Sequence, residues 1–199
     1  MHPSVAIAFA LALVAAPAAA PAQPHGHANH RSPYAGMEGR AIKSLAADDI
    51  DELRRGGGWG LALPAELNGV PGPAHVLELR AELDLSPEQT AAIERVFAAM
   101  QREAIVAGER LIAAEAAIEA AFAAGAVDVA TLRGLLAEAE AARAELRFVH
   151  LSRHLETPPL LTSAQIERYA ILRGYRADPC AGVPAGHDPA LWRRHNRCD

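Results

Sequence analysis

Aromatic residues are scarce in this 199-residue chain, 5% of the total, although hydrophobic residues make up 51%. Alanine supplies much of that apolar share. It forms helix readily but fills little core volume. The composition therefore favours long, closely packed helices over a thick globular core. Basic charge is not in excess either. The formal net charge is -5, which argues against a nucleic-acid partner. No H-E-x-x-H, G-x-S-x-G or phosphate-binding glycine loop occurs, and the chain reads as a non-enzyme. The glycine-rich Gly56-Gly57-Gly58-Trp59-Gly60 precedes no strand–helix unit and reads as a hinge. The paired carboxylates Asp48 and Asp49 read as an exposed turn.

Long apolar runs are also missing, apart from Val5 to Ala16, which is short for a bilayer span. Pro17 and the small-residue stretch Ala20-Pro21-Ala22 follow, an A-x-A site with cleavage expected before Gln23. This reads as a signal peptide over residues 1–22 and places the mature chain in the periplasm. The segment ahead of the run carries only the amino terminus and His2, so an uncleaved membrane anchor is the alternative. Cysteine is limited to Cys180 and Cys198, both in the C-terminal tail. In an oxidising compartment such a pair forms a disulfide. A metal site combining the thiols with His187 and His195 ranks below it, because the spacing matches no zinc pattern.

What is present is helix punctuation. Residues 23–33 carry His25, His27 and His30 without apolar periodicity, and read as a disordered segment. Residues 34–73 form an N-terminal block, weakly helical up to Arg55, with a helix-turn-helix junction expected over Leu45 to Ile50. A loop follows from Trp59 to Pro73, then a short helix from about Ala74 to Leu83. In Leu85-Ser86-Pro87-Glu88-Gln89, Ser86 is the N-cap, Pro87 stands at the first helical position, and Gln89 completes a capping box. Leu161-Thr162-Ser163-Ala164-Gln165 repeats the device with Thr162 and Gln165.

Between the boxes lie two long helices. The first runs from Pro87 to about Ala124 with a 4-3 seam of Ile93, Phe97, Met100, Ala104, Ala107, Leu111, Ala114 and Ile118. Gly125 is its expected stop and Asp128 the cap of the next. That second helix runs to about Leu155, with Leu132, Leu135, Ala139, Ala142, Leu146 and Val149 on its seam, and Pro158-Pro159 ends it. A final helix covers Ser163 to about Gly174. The short connection makes the pair an antiparallel hairpin. The fold class is therefore all-α, a long hairpin with additional short helices. A hairpin alone buries too little, so N-terminal helices or a second copy must cover it. A homodimer is expected.

Two LTxxQ-like boxes flanking a hairpin behind a signal peptide resemble the Spy/CpxP superfamily of periplasmic proteins and the related heavy-metal resistance sensors of the cobalt–nickel type. The resemblance covers roughly Ala74 to Tyr175. Ser86 stands where that family prefers Thr. The resemblance implies an elongated, cradle-like dimer working in envelope stress or metal response. Its chaperone branch implies unfolded client proteins held on a helical face, with no metal needed. A third reading is an adaptor docked on a membrane-bound sensor or regulator.

His150 and His154 stand one helical turn apart on one face, a spacing that suits a divalent Zn, Ni, Co or Cu ion. The sensor branch uses a comparable pair just before its second box, and takes further ligands from the helix ahead of the first. His75 and Glu78 occupy that region here. Antiparallel packing would bring His75 to the pair, giving three histidines and a carboxylate. The competing reading is that the two histidines complement the helix dipole without a metal. His25, His27 and His30 form an accessory metal-capture segment or a plain linker. Glu94, Arg95, Arg102, Glu103, Glu109 and Arg110 read as a solvated face or a client-binding surface.

Overall fold

The computed structural model describes residues 32–125 and 127–198. The expected signal peptide and the histidines at 25, 27 and 30 lie outside them. The described residues are all-α, with helices α1 (Ala47–Arg54), α2 (Leu63–Glu66), α3 (Pro73–Glu78), α4 (Pro87–Ala123), α5 (Val129–Glu156), α6 (Ser163–Leu172) and α7 (Pro189–Asn196). A 3-10 turn over Pro158–Leu160 joins α5 to α6. None of these helices is long and apolar enough to cross a membrane.

Helices α4 and α5 form the expected antiparallel hairpin. Ser86 Oγ accepts from the Gln89 amide at 3.2 Å while Gln89 Oε1 accepts from the Ser86 amide at 3.1 Å, so two orphan donors are satisfied at the start of α4. Gly125, at φ +63°, stops the helix in the left-handed conformation that a side chain disfavours. Asp128 then caps α5 by accepting from Thr131. The seam residues Met100, Ala104, Ala107 and Leu111 of α4 face Ala142, Leu146 and Val149 of α5 in one buried cluster.

One flank of that cluster is closed by the N-terminal block, through Ile42, Leu45 and Leu53. Its closeness depends on Gly108. A Cβ there would stand 2.7 Å from the Leu53 carbonyl oxygen, so α1 approaches α4 at backbone distance. A second cluster lies at the box end, where Val76, Leu83, Ile93 and Tyr169 pack together.

Several local expectations need correction. Leu45 to Ile50 is the approach to and first turn of α1, not a junction between helices. Asp49 is not on a free turn: its carboxylate accepts from the Ala46 amide at 2.8 Å and from Trp59 Nε1 at 2.9 Å. Within the glycine run, Gly56 and Gly57 are close-packing positions. Gly56, at φ +71°, ends α1 with its Cα hydrogen side against Gln101, where a Cβ would lie 2.8 Å from the backbone oxygen. Helix α7, capped by Asp188, was not foreseen. It is tied back by the Cys180–Cys198 disulfide, Cα atoms 5.3 Å apart, and by Trp192 Nε1 donating to the Pro179 carbonyl at 2.8 Å.

Candidate functional site

The candidate site lies where the N-terminal block meets the box end of the hairpin. His150 and His154 sit on the last two turns of α5, one turn apart, and both are buried. Helix α3 brings His75 to the same place. The three histidines line one cavity of about 310 Å³, together with Gly56, Gly57, Pro73, Phe97 and Met100 among others. No carboxylate lines it.

Each ring is held differently. His154 Nδ1 lies 2.7 Å from the Val70 carbonyl oxygen, which must accept, so Nδ1 carries a proton and, in the neutral ring, Nε2 holds the lone pair. The ring packs on Gly72, where a Cβ would stand 2.5 Å from Nε2. Only a glycine leaves room for that ring. His150 is 3% exposed and its Nε2 is buried without a hydrogen-bond partner. Burial holds the His150 pKa below the usual imidazole range. Hydrogen bonding to the Gly57 backbone opposes the shift, and the neighbouring His154 adds to it. His150 is therefore a neutral imidazole at pH 7, the form that ligates metals.

His75 is committed elsewhere. Its Nδ1 is 3.0 Å from Glu66 Oε1 and its Nε2 is 3.4 Å from an Arg173 guanidinium nitrogen. Glu66, which sequence reasoning passed over, is the centre of a buried polar cluster. Its Oε1 accepts from Tyr169 Oη at 2.5 Å, Tyr175 Oη at 2.9 Å and Arg173 Nε at 3.2 Å. Its Oε2 has no hydrogen-bond partner and lies 4.0 Å from His154 Nδ1. Burial raises the Glu66 pKa, but hydrogen bonds from His75, Tyr169 and Tyr175 outweigh it, and the carboxyl is held down at about 2. Burial and the Glu66 bond push the Tyr169 hydroxyl well above its ordinary value. The cluster ties α2 to α3, α6 and the segment after α6.

Glu78 is exposed at the end of α3 and does not line the cavity. The nearby carboxylate is Glu66, hidden in a Pro- and Gly-rich stretch with no motif around it. Its only sequence signal is an acidic residue in the apolar run Leu61 to Val70. Among the described residues, no group of three or more His, Cys, Asp or Glu side chains is arranged to hold a metal ion. The four-donor set of three histidines and Glu78 is thus not assembled, because Glu78, the last residue of α3, is exposed and Glu66 and Arg173 occupy both nitrogens of His75. The imidazoles left uncommitted among the residues lining the cavity are those of His150 and His154.

The box residues carry no such chemistry. Gln89 and Gln165 pair with each other through their side-chain amides, and Ser86 and Thr162 serve as caps. Cys180 and Cys198 are consumed by the disulfide, and His187 and His195 are exposed. No family model, curated protein or solved structure matches the chain.

Proposed function

We propose that this chain is an exported helical-hairpin protein that binds a transition-metal ion through His150 and His154, in a periplasmic metal-resistance or stress-response role. The observation that carries the reading is the buried, unpartnered Nε2 of His150 beside a second imidazole whose tautomer is fixed by a backbone carbonyl. A buried polar nitrogen without a partner costs roughly 1–3 kcal/mol, and a ligand there would recover it. Supporting export are the apolar run with its A-x-A site and the tail disulfide. The resemblance to the LTxxQ group supports the same role.

The test is calorimetric titration of the mature chain with Zn, Ni, Co and copper, in a His25→Ala/His27→Ala/His30→Ala background that silences the leading histidines. One ion per chain, lost in a further His150→Ala/His154→Ala variant, is the expected result. Binding that survives that variant, or no binding at all, overturns the proposal.

A second reading, a chaperone or adaptor working as a homodimer, draws on a different observation. Phe148 and Leu155 are exposed seven residues apart on one face of α5, and Val106 is exposed on α4 beside Arg102 and Glu103. Apolar side chains amid mixed charge suit a loosely held client or a second copy. Suppression of client aggregation by the metal-free chain tests it.

A further inference from the structure

The cavity's walls say which kind of ion it would hold. The side chain of Met100, buried on the α4 seam, lines the cavity with His150 and His154. We propose that the site is built for a soft, low-coordinate monovalent ion, Cu(I), held by the two imidazoles and the Met100 thioether; the inference rests on the metal-binding reading above.

Three observations argue for it. First, the donor types match. Thioether sulfur selects Cu(I) among biological first-row ions, and imidazole accepts copper as readily as the divalent metals. Second, the charge balance matches. The rest of the wall is largely apolar, with Gly56, Gly57, Pro73 and Phe97 among it; Arg55 adds a positive charge, and no carboxylate lines the cavity itself. Self-energy in an apolar medium grows with the square of the charge, so a monovalent ion bears about one quarter of the desolvation cost of a divalent ion of equal size. Third, the donor count matches. Glu66 and Arg173 hold His75 away, leaving two nitrogens and one sulfur, too few for the four ligands of a closed zinc site. A three-donor set is what a low-coordinate ion needs.

Glu66 is not among the ligands. It does not line the cavity, its Oε1 is filled by four donors, and its Oε2 lies 4.0 Å from His154 Nδ1, which bonds to Val70.

The experiment uses the full mature chain in the same triple-alanine background. Cu(I) affinity is measured without oxygen by competition with a chromophoric Cu(I) chelator. Ascorbate is the reductant, because it leaves the Cys180–Cys198 bond intact. Ag(I) serves as a redox-inert substitute, and Zn, Ni and Co are titrated in parallel. X-ray absorption at the copper edge counts sulfur and nitrogen neighbours. The expected result is one Cu(I) or Ag(I) per chain with one sulfur and two nitrogen neighbours, and weaker divalent binding. Met100→Leu keeps the core volume and should lower Cu(I) affinity by at least the roughly 10- to 100-fold that losing outer-shell support costs a metal site. Met37→Leu should change nothing. Thermal unfolding of each variant verifies the fold. Tighter binding of a divalent ion, with no sulfur neighbour and no effect of Met100→Leu but loss in His150→Ala/His154→Ala, overturns the soft-ion inference and leaves the imidazole site standing. Absence of binding by every ion overturns both.

Discussion

Gln89 and Gln165 exchange a pair of side-chain hydrogen bonds. Gln89 Nε2 donates to Gln165 Oε1 at 2.9 Å, and Gln165 Nε2 donates back to Gln89 Oε1 at 3.0 Å. Each glutamine also closes its own capping box and donates to a backbone carbonyl across the junction, Gln89 to Leu160 and Gln165 to Leu83. The two boxes are therefore one structure. Removing either amide leaves the other with unpaired polar atoms.

Gln89→Ala and Gln165→Ala should each lower stability by about 1–3 kcal/mol, since each loses a cap and strands a partly buried amide. The double variant should cost less than the sum, with a coupling of roughly 0.5–3 kcal/mol by denaturant unfolding. Strict additivity would mean that the boxes act separately.

The Glu66 cluster makes stability depend on acid pH. The carboxyl sits at about 2 in the folded chain against an ordinary value of 4.5, so the folded state holds the ionised form more strongly. Its contribution is complete above about pH 5 and disappears as the pH falls through the folded value, a loss on the order of 3 kcal/mol. Unfolding of the metal-free chain between pH 5 and pH 2 should show this slope, and Glu66→Gln should flatten it. Tyr169→Phe, which removes one charge-assisted bond, should cost about 1.5–3 kcal/mol at pH 7.

Gly72 and Gly108 should tolerate alanine poorly for different reasons. At Gly72 the new methyl group meets the His154 ring, so metal affinity should fall along with stability. At Gly108 it meets the Leu53 backbone, which cannot swing away. Stability should drop by roughly 1–3 kcal/mol there, with metal affinity retained. Thermal unfolding and metal titration on the same two variants separate these effects.

Reducing Cys180–Cys198 should free α7 while leaving the hairpin folded. The bond closes a short loop (18 residues apart in sequence), and its loss costs about 3 kcal/mol in the chain-entropy model. Trp192 reports the change, because it leaves the Pro179 carbonyl and its edge-to-face contact with His187. In a Trp59→Phe background its fluorescence should shift on reduction, while helical circular dichroism stays nearly constant.

The hairpin was legible because its signals are local. Ser86-Pro87 and Gln89, Gly125, Asp128 and Pro158 each fix a boundary within one turn, and the 4-3 spacing names the buried seam. Helix α7 has the same kind of signal in Asp188-Pro189, overlooked among the prolines and glycines of the tail. Convergence of His75 on the α5 pair followed from antiparallel packing. Glu66 was not legible. Nothing within a few residues tells a buried carboxylate from a surface one, and its partners stand about a hundred positions away in Tyr169, Arg173 and Tyr175. The choice of Glu78 failed for the same reason: periodicity places a residue on a helix face, while the end of α3 decides where that face points.

Helix α2 is only four residues long, far below the length at which a helix persists alone in water. Its order is borrowed through Glu66 from residues on α6 and beyond. Its amide protons should therefore exchange with solvent at the rate set by α6 undocking, not by fraying of α2. Hydrogen–deuterium exchange should show the amides of Glu66 and Leu67 slowing and speeding together with those of Ala170 to Leu172. The segment between the glycine run and α3 is thus a sentinel, registering at one end of the sequence whether the other end is still in place.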